Sequence, residues 1–213
     1  MRTTHTTRDR AGDRRVLFGV LALAGIAAVV AVAIFILVGG GKSSEAAAQA
    51  ALEDAGCTFK DYPGVSRRHI SDPTERPKSW NSFPPTSGPH FVTPAVYGLY
   101  NEPVELARVL HGLEHGAVFM MYGPESPPDT ADVLRGIYEE DPRGLVVAPL
   151  PALGSKIALG AWTSDNPGTA EVGTGHLATC TQPDDSAFEK FIDAYRGRGP
   201  EGVPLNLLQP GST

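Results

Sequence analysis

Two histidines spaced four residues apart are the part of this sequence best suited to do chemistry. In the segment His-Gly-Leu-Glu-His-Gly, His111 and His115 would lie on one face of a helix, with the carboxylate of Glu114 beside the second imidazole. A third imidazole, that of His90, ends the turn-rich segment Pro-Pro-Thr-Ser-Gly-Pro-His. The chain has six histidines, so half of them fall in these two motifs. We therefore predict that His90, His111 and His115 line one pocket.

The chemistry that such a cluster supports is the binding of copper or zinc. Neutral imidazoles bind both metals, and the second ring nitrogen usually hydrogen bonds to a carboxylate or a carbonyl group. We expect Glu114 to be that partner or a further ligand. Met120 and Met121 follow on a predicted strand, and a thioether sulfur would favour copper. They would point to opposite faces, so at most one could be an extra ligand, and core packing is the alternative for both.

Two other interpretations of the histidine segment stay open. At a helix end, His111 and His115 could hydrogen bond to the last carbonyl groups and stabilise the helix dipole without any metal. The pattern His-x-x-Glu-His is also that of inverted zinc peptidases, in which the glutamate is the general base. Gly112 and Gly116 weaken the helix that such an enzyme needs, and the domain is small for that class. The sequence therefore favours a binding protein over an enzyme.

The N-terminal region predicts a membrane anchor. Residues 16–38 contain no charged or strongly polar side chain, and a helix of these 23 residues would be about 34 Å long, enough to cross a bilayer. Residues 1–15 are rich in arginine, whereas only Lys42 closely follows the apolar stretch. The positive-inside rule then puts the basic tail in the cytoplasm and the rest of the chain outside. A cleaved signal peptide is the alternative, although its apolar region is normally roughly 7–15 residues long.

The remainder of the chain is long enough for one domain with its own core. We predict a linker and membrane-proximal helix over residues 39–56 and an extracytoplasmic α+β domain over residues 57–213. The formal net charge is −6 and there is no basic stripe, which argues against nucleic-acid binding. Cys57 and Cys180 are the two cysteines, and on the oxidising side of a membrane they are expected to form a disulfide.

Periodicity and turn residues predict the elements of the outer domain. Residues 58–103 carry eight prolines but also seven aromatic side chains, which indicates an ordered, irregular wrap around the core rather than disorder. Beyond the wrap, helices and strands alternate, as in a small mixed sheet covered by helices. The predicted helices span 45–55, from Asn101 or Glu102 to the glycines at 112 and 116, from Asp129 onward, and 185–196; the predicted strands span 117–122, 145–148 and 157–162.

The other three histidines carry weaker predictions. His69 follows two arginines in a polar loop and is expected to be solvated. His176 ends the segment Gly-Thr-Gly-His and is expected in a turn near the second cysteine. His5 belongs to the predicted cytoplasmic tail.

The two histidine motifs together resemble domain-of-unknown-function family 3105, over about residues 57–201. Gly112 stands where the family pattern has asparagine. The resemblance implies a bacterial protein with one membrane anchor and an outer domain, supports the grouping of His90, His111 and His115, and implies no established activity. Besides the two histidine motifs, the segments that carry it are Gly98-Leu99-Tyr100, Tyr122, Ala161-Trp162 and the last helix leading into Gly199-Pro200-Glu201.

Together these features predict a single-pass protein of the bacterial cell membrane whose outer domain binds copper or zinc through histidines. The alternative is a non-enzymatic envelope module without metal, in which the same motifs hold the aromatic wrap on the core. A zinc peptidase is the least favoured function. The membrane is the one partner that the sequence indicates.

Overall fold

The computed structural model describes residues 43–213, which contain four α-helices and eight strands. The helices are α1 (residues 43–54), α2 (Leu106–His115), α3 (Thr130–Glu140) and α4 (Asp185–Tyr195). The strands are β1 (Thr58–Pro63), β2 (His69–Ile70), β3 (His90–Phe91), β4 (Gly98–Leu99), β5 (Val118–Tyr122), β6 (Leu145–Pro149), β7 (Ile157–Thr163) and β8 (Thr174–Cys180).

Six of the strands form one mixed sheet in the order β1-β8-β7-β5-β6-β4. The first four are antiparallel neighbours, whereas β6 runs parallel to both β5 and β4. The central strands β5 and β7 are almost continuously apolar and buried, as expected for strands covered on both faces. The expected mixed sheet with helices is therefore confirmed.

Two apolar clusters lie on the two sides of this sheet. Val118 and Met120 belong to one cluster, with α1, α3 and α4, whereas Phe119 and Met121 belong to the other, with α2. This alternation follows from the two-residue period of a strand. Met120 and Met121, which the sequence left open as extra ligands, are both fully buried within these clusters.

The helices are amphipathic, but they differ in whether a side chain caps their first turn. In α4, Asp184 accepts a hydrogen bond from the amide of Ala187 at 2.9 Å and so caps the first turn. Helix α2 begins later than predicted, at Leu106, and Glu105 before it gives no side-chain cap. Glu105 has a φ of −59° and a ψ of 118°, which is not helical, so the first turn begins after it.

The prolines and aromatic side chains of residues 58–103 form an ordered segment, but not a wholly irregular one. Its first part is β1, which pairs with β8 along the edge of the sheet. Its middle part contains the short parallel pair β2–β3. Trp80 anchors the segment between them by donating a hydrogen bond to the carbonyl of Pro89 at 3.0 Å. Strand β1 was not predicted because charged and half-exposed residues interrupt its alternation, as is common at a sheet edge.

Cys57 and Cys180 form a disulfide, as predicted. It connects the residue before β1 with the last residue of β8, across a sequence separation of 123 residues. Because the strands are antiparallel, the disulfide joins β1 and β8 at one end of their pairing.

In residues 43–213, no helix combines the length and the hydropathy that crossing a bilayer requires. The predicted basic tail (1–15), the predicted transmembrane helix (16–38) and the start of the predicted linker (39–42) lie outside the described residues.

Candidate metal centre

Helix α2 and strand β3 place the imidazoles of the two sequence motifs next to each other. His111 is in the helix and His90 is the first residue of the strand, and both are buried. Their ring centroids are 4.7 Å apart. The amide of His90 donates to the carbonyl of Arg68 at 3.1 Å, which fixes β3 against the segment that contains β2.

A third imidazole that the sequence did not indicate joins them. The parallel pairing of β2 with β3 sets His69 directly opposite His90. The ring of His69 lies 5.0 Å from that of His90 and 4.9 Å from that of His111 between centroids. His69 is exposed, in agreement with the prediction, but it also belongs to the histidine cluster. No local pattern could have revealed this, because His69 and His90 are brought together by the path of the wrap.

We call His69, His90, His111 and Glu114 the inner group. One ligand atom from each of these side chains lies within 4.8 Å of all the others. Two ligands of one zinc ion at ~2.0–2.1 Å are at most about 4.2 Å apart, so a small contraction would bring the group to bonding distance.

Two imidazoles of the inner group are held in one tautomer by the backbone. Nδ1 of His90 lies 2.9 Å from the carbonyl oxygen of Gly88, and Nδ1 of His111 lies 2.7 Å from that of Phe91. A carbonyl oxygen can only accept, so Nδ1 carries the proton in both rings. In the neutral rings, the lone pair is then on Nε2. Burial lowers the pKa of His111 to about 4, so this ring is neutral at neutral pH.

The Nε2 atom of His90 is the most unusual atom of the group. It lies 3.0 Å from Oε2 of Glu114, yet among the described residues no group completes a well-directed hydrogen bond with it. The distance fits a hydrogen bond but the direction does not, and we give the direction more weight because hydrogen bonds weaken steeply with angle. When His90 is neutral, both atoms can only accept. A cation that both can bind would relieve this contact.

Glu114 is an ionised carboxylate in this environment. Burial alone would raise its pKa, but the neighbouring imidazole of His90 and guanidinium of Arg67 outweigh burial and lower the pKa to about 2. Nε of Arg67 pairs with Oε1, the oxygen that does not face His90. One carboxylate oxygen is therefore neutralised by a guanidinium, and the other faces an imidazole nitrogen.

His115 points to a second group at the end of the same helix. Its Nδ1 lies 3.0 Å from the hydroxyl of Tyr97, and its Nε2 lies 2.9 Å from Oε2 of Glu201. His111, His115 and Glu201 also offer ligand atoms that all lie within 4.8 Å of one another, and we call them the outer group. His111 is common to both groups.

Glycines bring Glu201 to this place. Gly116 ends α2 with a φ of 107°, and its carbonyl accepts from the amide of Gly197 at 2.7 Å. A Cβ at Gly199 would lie 2.2 Å from the amide nitrogen of Gly116, so no larger residue fits at that contact. The amide of Glu201 donates to the carbonyl of Glu114 at 3.1 Å. Glu201 occurs in a motif of the sequence, but nothing there marked it as part of a site.

The three histidines of the sequence motifs are thus divided between two overlapping groups. His90 and His111 are in the inner group, and His111 and His115 are in the outer group. Glu114 is in the inner group, in contact with His90.

His176 differs from the prediction, because it lies in the middle of β8 and not in a turn. Its Nδ1 lies 2.6 Å from Oδ1 of Asp61, and its Nε2 lies 2.8 Å from Oγ1 of Thr163. The ring also stacks on that of Tyr195, with centroids 4.2 Å apart. The turn prediction was wrong because Gly175 lies within β8 and Gly173 directly precedes it, so the histidine itself is not in a loop.

A cavity of about 390 Å³ opens beside the inner group at His69, and Arg68 and Glu75 also line it. A different cavity, of about 240 Å³, lies between α3 and α4. Apart from Arg196, its lining is acidic and apolar, with no imidazole, so we regard the histidine groups as the better candidate site.

Comparison with known proteins agrees with the resemblance seen in the motifs. No curated protein and no solved structure gives a significant match to this chain. Residues 73–205 match the model of a family described as "Protein of unknown function (DUF3105)", and they include every member of the inner and outer groups except His69. This match covers more than half of the chain, which therefore belongs to the DUF3105 family.

Proposed function

We propose that this protein binds one zinc or copper ion in the inner group. The observation that carries the proposal is Nε2 of His90, which is buried, lacks a well-directed hydrogen bond and faces a carboxylate oxygen of Glu114. A buried polar atom without a partner is unfavourable, and a metal ion would give it one.

The donor set supports a transition metal. Three imidazoles and one carboxylate suit zinc or Cu(II), whereas magnesium and calcium prefer oxygen ligands. The carbonyls behind His90 and His111 orient these rings and raise their basicity, as the outer partners of metal-bound histidines usually do. Arg67 would keep Glu114 in place from its other oxygen.

A zinc peptidase is a second candidate, because the outer group contains both histidines of the His-x-x-Glu-His pattern and a distant carboxylate. In that mechanism Glu114 must accept a proton from water. Its ion pair with Arg67 and its pKa of about 2 make it a weak base, and its free oxygen faces His90. These contacts favour metal binding without peptide hydrolysis.

We further propose that residues 16–38 anchor the protein in the bacterial cell membrane, with the N-terminus in the cytoplasm and residues 57–213 on the outer side. The run of apolar residues and the excess of arginine before it support this topology. The disulfide is consistent with an oxidising compartment. The alternative to metal binding is an envelope module in which the histidines only connect the wrap to α2.

The test is the metal content of the full-length protein purified in detergent. After loading with Zn²⁺ or Cu²⁺ and dialysis, elemental analysis should give one ion per chain, and His90→Ala should reduce the content strongly. His176→Ala is the matched control, since it also removes a buried imidazole but lies outside both groups. If the unchanged protein retains neither metal, the proposal is wrong and the envelope module is favoured.

A further inference from the structure

We infer that the outer group is a second position for the same ion, which it occupies first on its way to the inner group. This inference rests on the proposed function. It assigns a task to His115 and Glu201, which metal binding by the inner group alone does not require.

The first argument is the geometry of the outer group. Nε2 of His115 and Oε2 of Glu201 are 2.9 Å apart, so this contact needs to open only to about 3.3 Å for both atoms to bind one tetrahedral zinc ion with bonds of ~2.0–2.1 Å. Both residues are held in place by other contacts. The hydroxyl of Tyr97 contacts Nδ1 of His115, and the amide of Glu201 donates a hydrogen bond to the carbonyl of Glu114. The pair is thus preformed.

The second argument is that the two groups share one ligand atom. The Nδ1 atom of His111 is bonded to the carbonyl of Phe91, so Nε2 is the atom that it can offer to a metal. One lone pair binds one ion. A single ion can therefore be bound by His111 in the inner or in the outer group, but two ions cannot both use it. Movement between the groups would keep the bond to His111 while the other ligands are exchanged.

The third argument is access. The side chain of Glu201 is 46 % exposed and that of His115 is 15 % exposed, whereas His90 is fully buried and Glu114 nearly so. An exposed carboxylate attracts cations from solution.

The inner group also has an opening, beside His69, but its charges are less favourable to a cation. Arg68 lines that cavity together with Glu75, and Arg67 is paired with Glu114. These opposite charges offset each other, so they attract a metal ion less than an exposed carboxylate does. We therefore assign capture to the Glu201 side.

The kinetics of zinc binding by the full-length protein test this inference. In stopped-flow measurements with a fluorescent zinc chelator, Glu201→Gln should lower the association rate constant about tenfold. The dissociation rate constant should fall by the same factor, because the ion also leaves through the outer group. The equilibrium constant then stays unchanged. The control is Glu139→Gln, which removes the same charge from an exposed position of α3 and should change neither rate.

A loss of an ordinary ligand has a different signature. If Glu201→Gln raises the dissociation rate and leaves association unchanged, Glu201 is a ligand of a single site and the inference is wrong. Unchanged rates would also overturn it. If the unchanged protein binds no zinc, the proposed function fails first, and this inference fails with it.

A double-mutant cycle gives an independent check that does not depend on rates. His69→Ala removes an exposed ligand of the inner group and should move the ion toward the outer group. Glu201→Gln should then weaken zinc affinity in the His69→Ala protein but not in the unchanged protein. Equal effects of Glu201→Gln in both backgrounds would contradict two positions.

Discussion

The histidines of the inner group and His176 have different roles, although all of them are imidazoles. His176 is in the middle of a strand, and each of its ring nitrogens faces a side chain, Asp61 on one side and Thr163 on the other. In the inner group, His90 and His111 each use Nδ1 on a backbone carbonyl and turn Nε2 toward other ligand atoms.

The difference shows that burial alone does not make a histidine a metal ligand. His176 and His90 are both buried, but His176 has complementary partners at both nitrogens. In His90 the other nitrogen, Nε2, faces a carboxylate oxygen of Glu114, which can only accept, and no described group completes a well-directed hydrogen bond with it. The contacts of His176 stabilise the fold, whereas those of His90 leave one nitrogen available to a ligand.

The largest expected effect is a loss of stability near His176 that leaves zinc binding unchanged. We expect Cys57→Ser with Cys180→Ser to lower the free energy of unfolding by about 4 kcal/mol, since the disulfide closes a long loop next to β8. Urea unfolding followed by circular dichroism measures this change. Zinc affinity under folding conditions should stay the same, and a parallel loss of zinc would show that the two regions are not independent.

A smaller loss of stability is expected for His176→Ala. The change leaves Thr163 without its partner in the interior and removes the stacking on Tyr195, which together should cost about 3 kcal/mol. The measurement is again urea unfolding, with zinc content determined on the same sample. If the His176→Ala protein kept its stability but lost its zinc, the roles assigned to the two regions would be wrong.

His111→Ala should weaken zinc binding, because His111 belongs to both metal groups. We expect zinc to bind about 100-fold more weakly, equivalent to about 2.7 kcal/mol. Competition with a chelator of known affinity measures the change, and the His176→Ala protein is the control. An unchanged affinity would exclude both groups as the zinc site.

The smallest expected effect is a pH dependence in the metal-free protein. Burial lowers the pKa of His111 from 6.5 to about 4, so between these values the unfolded chain binds a proton that the folded chain does not. The free energy of unfolding should therefore decrease as the pH falls from 6.5 toward 4, by up to about 2 kcal/mol at pH 5. His115, whose pKa burial also lowers, adds to this decrease.

Glu114 should extend the loss to lower pH. Its pKa in the folded protein is about 2, against 4.5 in the unfolded chain, so its contribution is complete above pH 4.5 and declines below it. Urea unfolding in the presence of a chelator at several pH values checks both windows. His111→Gln should flatten the upper window and leave the lower one, and an unaltered profile would show that His111 is not titrating.

Half of the six-stranded sheet could be predicted from the sequence. Strands β5, β6 and β7 are continuous apolar runs, and α3 and α4 have clear apolar stripes, so burial in the core determined their structure. Strand β8 could not be predicted, because its threonines, glycine and histidine carry no apolar alternation and it is ordered by pairing with strands on both sides.

The site was predictable where its residues belong to the two histidine motifs, including His90, which lies 4.7 Å from His111 between ring centroids. Spacing on a helix relates His111, Glu114 and His115, and their grouping followed from it. The positions of His69 and Glu201 depend on long-range contacts, namely the β2–β3 pairing and the close approach of Gly116 to Gly199. Such contacts are set by the completed fold and leave no local pattern.

The β2–β3 pair has one more consequence. Each strand is only two residues long, so this part of the wrap is held by few backbone hydrogen bonds. An ion bound to His69, His90 and His111 would connect both strands to α2. It would thereby hold both ends of the segment between the two strands. That segment and its margins contain bonds that trypsin cleaves, after Arg67, Arg68 and Lys78. The rate of digestion would then report whether the ion is present.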